Sequence, residues 1–204
     1  MRLFTLLFVC IAGLMAFTAA GDKDGYKVGD IARDFKLKNI DGEMVSLSDY
    51  SDAKGYIVVF TCNHCPYAKM YEQRIIELHN KYADQGYPIV AINPNDPVKQ
   101  PQDSYENMQK RAKEKDYPFA YLVDETQEIA RTYGAAYTPH VFLLKKEGNK
   151  NRVAYIGAID NNYKNAEEAD VKYVEAAVDN LLAGEGVQTK QAKGIGCTIK
   201  WKDS

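Results

Sequence analysis

Short apolar runs alternate along the chain with stretches in which apolar residues recur at helical spacing. Runs of β-branched and aromatic residues predict five buried strands, over residues 56–60, 88–92, 119–123, 141–145 and 153–159. Three further stretches have apolar residues every three or four positions and predict amphipathic helices, over residues 68–82, 105–112 and 171–181. Ser104 is a suitable N-cap for the second helix, and Gly184 suits the end of the third. The alternation predicts one α/β domain.

Turn-forming residues refine this prediction at two places. Only Glu147, Gly148 and Asn149 separate the last two strands, so we expect an antiparallel hairpin at one side of a partly parallel sheet. Residues 93–103 include three prolines and lie between patterned segments. We expect them to form a long surface loop within the domain.

The first residues differ from the rest of the chain. Arg2 precedes an apolar run over residues 3–17, which small and then charged residues follow. Because the run is short for a membrane span, we interpret residues 1–20 as a signal peptide cleaved after Ala20, with an uncleaved anchor as the alternative. Residues 21–204 are then a single periplasmic or secreted domain, with a C-terminal tail from about residue 185 and no membrane insertion after cleavage.

Charge and cysteine content narrow the range of partners and chemistry. The 204 residues carry 26 Lys and Arg against 28 Asp and Glu, without a concentration of positive charge, so we expect no nucleic-acid partner. If Cys10 leaves with the signal peptide, the remaining cysteines are Cys62, Cys65 and Cys197. A pair only two residues apart closes too small a loop to stabilise the fold much. Chemistry therefore explains the pair better than stability does.

The close pair lies where the first predicted strand leads into the first predicted helix, in the sequence Cys62, Asn63, His64, Cys65, Pro66. The amides and the dipole of a helix N-terminus favour a thiolate, so we expect Cys62 to have a lowered pKa and to attack. Cys65 would then resolve the mixed disulfide. His64 would stabilise the thiolate as an imidazolium, or else be a solvated residue at the helix start.

A zinc or copper site is the main alternative for the close pair. Zinc needs further ligands, and beyond Cys197, His79 and His140 the mature chain offers no second cysteine pair. A copper chaperone using Cys62, Cys65 and His140 is a less favoured interpretation. We expect neither a metal nor any other cofactor.

The order of elements is similar to that of a known superfamily. A CxxC motif, a helix, a strand, a long connection, a helix and then Thr138-Pro139 before a hairpin resemble thioredoxins. The segments at residues 28–37, 60–67, 91–97, 124–134 and 195–202 resemble the redoxin or alkyl-hydroperoxide-reductase-like group of that superfamily, in its peroxiredoxin-like branch. The resemblance implies a thioredoxin fold with an N-terminal redoxin hairpin. It also implies a cis Pro139 beside the sulfurs, with the backbone of Thr138 binding the substrate chain.

The same resemblance has departures that bear on activity. In peroxidatic sites a hydroxyl residue lies three positions before the cysteine, where this chain has Val59. A proline lies four positions before that hydroxyl residue, where this chain has Gly55. The buried acid that assists many resolving cysteines is replaced by Tyr56, so another group must transfer the proton. We therefore place a thiol-dependent peroxidase second.

The leading prediction is a thiol-disulfide oxidoreductase. Its expected partners are protein thiols and disulfides or small thiols, together with a redox donor or acceptor protein. Cys197 follows the last predicted helix, among glycines and apolar anchors. We expect this tail to dock on the domain with Cys197 as an inert thiol, and the alternative is a third redox sulfur that reaches Cys62 or Cys65.

Overall fold

The computed structural model describes residues 25–203. The predicted signal peptide, residues 1–20, lies outside the described residues. Between residues 25 and 203, no helix combines the length and apolar character that a membrane crossing requires.

A nine-stranded mixed sheet forms the centre of the domain. Eight of its strands lie in the order β1-β9-β8-β4-β5-β6-β2-β3, and β10 pairs with β9. A separate two-stranded sheet joins β7 to β11. The strands are β1 (Ile31–Ala32), β2 (Lys36–Asn39), β3 (Met44–Ser46), β4 (Gly55–Phe60), β5 (Ile89–Asn93), β6 (Ala120–Val123), β7 (Tyr137–Thr138), β8 (His140–Glu147), β9 (Lys150–Gly157), β10 (Gln191–Ala192) and β11 (Cys197–Thr198).

The strand pairing confirms the predicted mixed sheet. β4 pairs in parallel with β5, and β5 with β6. β8 and β9 form the predicted antiparallel hairpin, which turns at Gly148 and Asn149. β2 and β3 form the N-terminal hairpin that the resemblance implied, and β2 extends the sheet beside β6.

Within residues 25–203, four α-helices connect and cover the strands: α1 (Pro66–Tyr82), α2 (Tyr105–Glu114), α3 (Glu128–Tyr133) and α4 (Tyr173–Leu182). The Ser104 hydroxyl caps α2 by accepting from the Asn107 amide at 3.3 Å, as predicted. The apolar pattern did not predict α3, which has 6 residues and is too short for a clear helical period.

Each face of the sheet carries its own apolar core because side chains alternate along a strand. Ile57 and Val59 of β4 face the core that α1, α2 and α4 cover. Tyr56, Val58 and Phe60 face the opposite core, which α3, the N-terminal hairpin and the C-terminal tail cover. All five of these β4 side chains are buried, so the end of β4 is a rigid base for the residues that follow it.

The loop prediction for residues 93–103 was only partly right. Residues 97–99 are exposed, but Asn93, Asn95, Asp96 and Asp103 are buried polar residues. Their side chains are satisfied largely within the protein, which is how buried polar groups avoid a desolvation penalty. The ends of this loop therefore belong to the interior, next to the end of β4.

Candidate functional site

The two close cysteines lie between β4 and α1. Cys65 is the N-cap residue of α1, with Pro66 at the first helical position. The Cys62 residue is 6% exposed and Cys65 is fully buried, at 0%. Both are free thiols, as is Cys197. Cys62 is therefore the more accessible of the two residues.

Thr138 lies against these sulfurs, and its bond to Pro139 is cis. The Thr138 hydroxyl is 3.1 Å from Cys62 Sγ, while the Thr138 carbonyl oxygen is 3.3 Å from Cys65 Sγ. Thr138 thus contacts one sulfur through its side chain and the other through its backbone. The side-chain contact was not expected from the sequence.

His64 connects Cys62 to a buried carboxylate. Its Nδ1 lies 3.5 Å from Cys62 Sγ and 2.6 Å from Asp103 Oδ2. A contact that short to a carboxylate places a proton on Nδ1, so this N–H is a donor toward both partners. Asp103 is 2% exposed, and the sequence analysis did not identify it. It lies at the end of the proline-rich loop, 39 residues after His64, where no motif indicates it.

Asp103 also fixes the backbone between the two cysteines. Its Oδ1 accepts from the amides of Asn63 and His64, at 2.7 and 3.1 Å. Its Oδ2 accepts from Asn95 Nδ2 at 2.7 Å. Since hydrogen bonds to a charged group are the stronger kind, this carboxylate holds the CxxC segment in place.

The pKa values of the two close thiols depend on each other, and that of Cys62 is not lowered as the helix start predicted. The pKa of Cys65 is lowered to about 4, first by its hydrogen bond with Cys62 and also by hydrogen bonds from Cys197 and the Ala68 amide. The hydrogen bond with Cys65 raises the pKa of Cys62, and burial and the charge of Asp103 raise it further. The two sulfurs therefore share a proton, and Cys65 Sγ donates to the Thr138 carbonyl oxygen when the proton is on Cys65.

Potential metal ligands come together in one place among residues 25–203. Cys62, His64 and Asp103 have ligand atoms within 4.8 Å of one another, and the hydrogen bond from His64 to Asp103 accounts for much of this proximity. His140 does not join them in the described part of the chain, so the three copper ligands considered above are not assembled there. His140 stacks on Tyr137 instead, and burial lowers its pKa to about 4.

The C-terminal tail docks beside the same site, as expected. β11 pairs antiparallel with β7, and Cys197 lies opposite Thr138 in this pairing. Cys197 packs against the cluster that contains both close cysteines. Ile199, the residue after β11, is 4% exposed and lies in the core. The tail is therefore also anchored beyond β11.

Comparison with known proteins places the chain among redox proteins. The sequence model described as "AhpC/TSA family" matches residues 28–156. The thiol-disulfide oxidoreductase ResA of Geobacillus thermodenitrificans is 27% identical over 132 residues, which cover 65% of this chain and 71% of that protein.

Two solved structures show the same architecture. A conserved protein of Geobacillus kaustophilus is 40% identical, with a TM-score of 0.80, covering 87% of this chain and 94% of its own. The thioredoxin domain of a thiol-disulfide oxidoreductase from Bacteroides vulgatus is 20% identical, with a TM-score of 0.52. The match covers 63% of this chain and 88% of that domain. The fold is therefore the thioredoxin fold.

Proposed function

The chain belongs to the AhpC/TSA family and is an oxidoreductase with a thioredoxin fold, and from this premise we propose that it exchanges disulfides through Cys62 and Cys65. The observation that carries the proposal is the set of contacts around the two sulfurs. Thr138 contacts both, through its hydroxyl and its carbonyl oxygen, and His64 with Asp103 borders Cys62.

In the first step, Cys62 becomes the thiolate and Cys65 holds the proton that the two sulfurs share. The Cys65 thiol then donates to the Thr138 carbonyl oxygen, 3.3 Å away. The Cys62 thiolate accepts from the Thr138 hydroxyl at 3.1 Å and from His64 Nδ1 at 3.5 Å. With the proton on Cys65, the Thr138 carbonyl oxygen accepts from it and the Cys62 thiolate has two donors, so every group in this arrangement is hydrogen-bonded.

In the second step, the Cys62 thiolate attacks a sulfur of the substrate disulfide. The substrate S–S bond breaks, one substrate thiolate leaves, and Cys62 stays linked in a mixed disulfide. Cys65 then loses its proton and attacks Cys62 Sγ, which releases the second substrate thiol and leaves a Cys62–Cys65 disulfide. Run in reverse, the same steps oxidise a substrate dithiol. His64 and Asp103 position a hydrogen-bond donor beside the attacking sulfur throughout.

The experiment is a trap of the mixed disulfide. In Cys65→Ser, incubation with a disulfide-containing polypeptide should accumulate a covalent complex through Cys62, because the resolving sulfur is absent. Non-reducing electrophoresis and peptide mapping measure it, and Cys62→Ser is the matched control that should form no complex of this kind. A Cys65→Ser protein that traps no polypeptide, yet is oxidised by hydrogen peroxide to a Cys62 sulfenic acid, would contradict exchange and favour the peroxidase.

The proposed cellular location follows from the N-terminal sequence. A run of apolar residues after Arg2, with small residues before the first acids, is typical of an export signal. We propose that residues 1–20 direct residues 21–204, as one domain, to an extracytoplasmic compartment. There the partners are protein or small-molecule thiols and disulfides, and a redox protein renews the dithiol.

A further inference from the structure

We propose that β11 is an internal substrate of this site, in which Cys197 exchanges into a disulfide with Cys65 and releases Cys62. This inference rests on the proposed function. It goes beyond that function because it assigns a third sulfur and a second disulfide to the redox cycle.

The first argument is the backbone pairing of β11. Its register places Cys197 opposite Thr138, the residue whose carbonyl oxygen lies 3.3 Å from Cys65 Sγ. Adding a strand to an exposed edge is a common way to bind an extended peptide, because the backbone supplies the affinity and side chains supply the specificity. β11 thus occupies this edge as a bound peptide would, with a cysteine at the position next to the dithiol.

The second argument is how closely the tail approaches the edge. A Cβ atom on Gly196 would lie 2.5 Å from the Thr138 carbonyl oxygen, and one on Gly194 would lie 2.5 Å from the Tyr137 hydroxyl. Only glycine fits at such separations. These two glycines therefore let the tail lie close enough for the sulfur of Cys197 to reach Cys65.

The third argument is the anchoring of the tail beyond Cys197. The Lys200 amide donates to Asn95 Oδ1 at 2.8 Å, and the Lys200 carbonyl oxygen accepts from the Asp96 amide at 2.9 Å. The Gln127 side chain donates to that same carbonyl and accepts from the Lys202 amide. Asn95 also donates to Asp103, so one amide side chain joins the tail to the carboxylate of the active site.

The fourth argument concerns the sulfurs themselves. Cys197 packs against the buried cluster formed by Cys62, Cys65 and Ala68. Burial, together with the neighbouring Cys65, raises the pKa of Cys197 to about 11. The third sulfur therefore lies in the same cluster as the dithiol and stays a thiol until it reacts.

The exchange step is balanced without an added oxidant. Starting from the Cys62–Cys65 disulfide, Cys197 loses its proton and its sulfur attacks Cys65 Sγ. The Cys65–Cys197 bond forms, the Cys62–Cys65 bond breaks, and Cys62 leaves as the thiolate, which takes up the proton. The product has Cys62 free beside Thr138 and His64, ready for a second substrate.

The test uses the full chain with Cys62→Ser, which leaves Cys65 and Cys197. Oxidised glutathione should convert this variant to a monomer with a Cys65–Cys197 disulfide, identified by non-reducing peptide mapping, and without retained glutathione. The matched control is Cys62→Ser with Cys197→Ser, in which glutathione should remain on Cys65. A stable glutathione adduct on Cys65 in the first variant, with Cys197 free, would overturn the proposal.

A second measurement needs no substitution. The unchanged protein is oxidised with one equivalent of oxidised glutathione, quenched in acid and mapped. Both Cys62–Cys65 and Cys65–Cys197 peptides should be found, and finding Cys62–Cys65 alone would overturn the relay while leaving the proposed function intact. Absence of both disulfides would contradict the proposed function as well.

Discussion

At the residue scale, the environments of His64 and His140 decide their different roles. His64 lies beside a carboxylate, and its Nδ1–H is shared between Asp103 and Cys62. His140 is 7% exposed, and its Nδ1 accepts from the Ala136 amide at 3.4 Å. Burial lowers the pKa of His140 to about 4, because the charged form loses its hydration without gaining an acid. His64 is therefore placed for chemistry and His140 for packing.

The lowered pKa of His140 predicts a loss of stability in acid. In the unfolded chain this group binds a proton near its ordinary pKa of about 6.5, whereas in the folded protein it does so only near about 4. Between pH 6.5 and pH 4, the unfolded chain therefore binds a proton at His140 that the folded protein does not bind. As the pH falls through this range, the free energy of unfolding should decrease by about 3 kcal/mol because of His140.

Urea unfolding of the wild type and of His140→Gln between pH 7 and pH 4 measures this contribution. The variant keeps an acceptor for the Ala136 amide but cannot titrate, and the carboxylates are common to both proteins. The difference in unfolding free energy between them should therefore change by about 3 kcal/mol across that range. Two parallel pH profiles would show that His140 is not buried as a neutral group.

At the element scale, two short strands control access to the buried sulfur. β7 and β11 have 2 residues each, so their pairing depends on the close fit at Gly196 more than on its length. Cys65 is fully buried beside this pairing. Opening of β11 is therefore the simplest local motion that would expose Cys65.

A larger residue at position 196 should force this motion. In Gly196→Val the new Cβ would meet the Thr138 carbonyl, and overpacking of this kind costs about 1–3 kcal/mol. A cost near the lower end shifts an opening equilibrium about tenfold, so alkylation of Cys65 in the reduced protein should be about tenfold faster. Mass spectrometry of iodoacetamide-treated peptides follows the rate.

The tail offers a matched control for this substitution. A Cβ at Gly186 meets nothing within 4 Å, so Gly186→Val should leave the alkylation rate of Cys65 unchanged. Equal rates in Gly196→Val and the wild type would mean that β11 does not shield Cys65.

At the scale of the whole molecule, the tail is part of the main core. Ile199 lies in the same buried cluster as Phe60 of β4 and Tyr133 of α3, and Trp201 packs against that cluster. The Arg131 guanidinium lies 4.3 Å from the centre of the Trp201 ring. The tail and the sheet thus share apolar contacts, and we expect them to unfold together.

Unfolding measured by two probes should follow one curve. Trp201 is the single tryptophan, so its fluorescence reports on the tail, while far-ultraviolet circular dichroism reports on the whole sheet. For residues 21–204 as one cooperative domain, both signals should give the same midpoint in guanidinium chloride. A fluorescence transition at a clearly lower concentration would mean that the tail is a separate unit.

Much of the fold was predictable because its main elements are long and regularly patterned. The β4 side chains are all buried, and the spacing from Ala68 to Tyr82 determined α1 before any packing was known. The prediction failed for short elements. α3, β7 and β11 carry too few residues for a period, and tertiary contacts hold them in place.

The sequence by itself determined a sheet with helices and a pair of cysteines at the junction between a buried strand and a helix, because these depend on local spacing. Only the tertiary structure decided that Asp103 faces His64 and that Cys197 lies opposite Thr138. The physical reason is that these contacts join residues far apart in the chain, through loops and two-residue strands whose own sequences carry no pattern that fixes a partner.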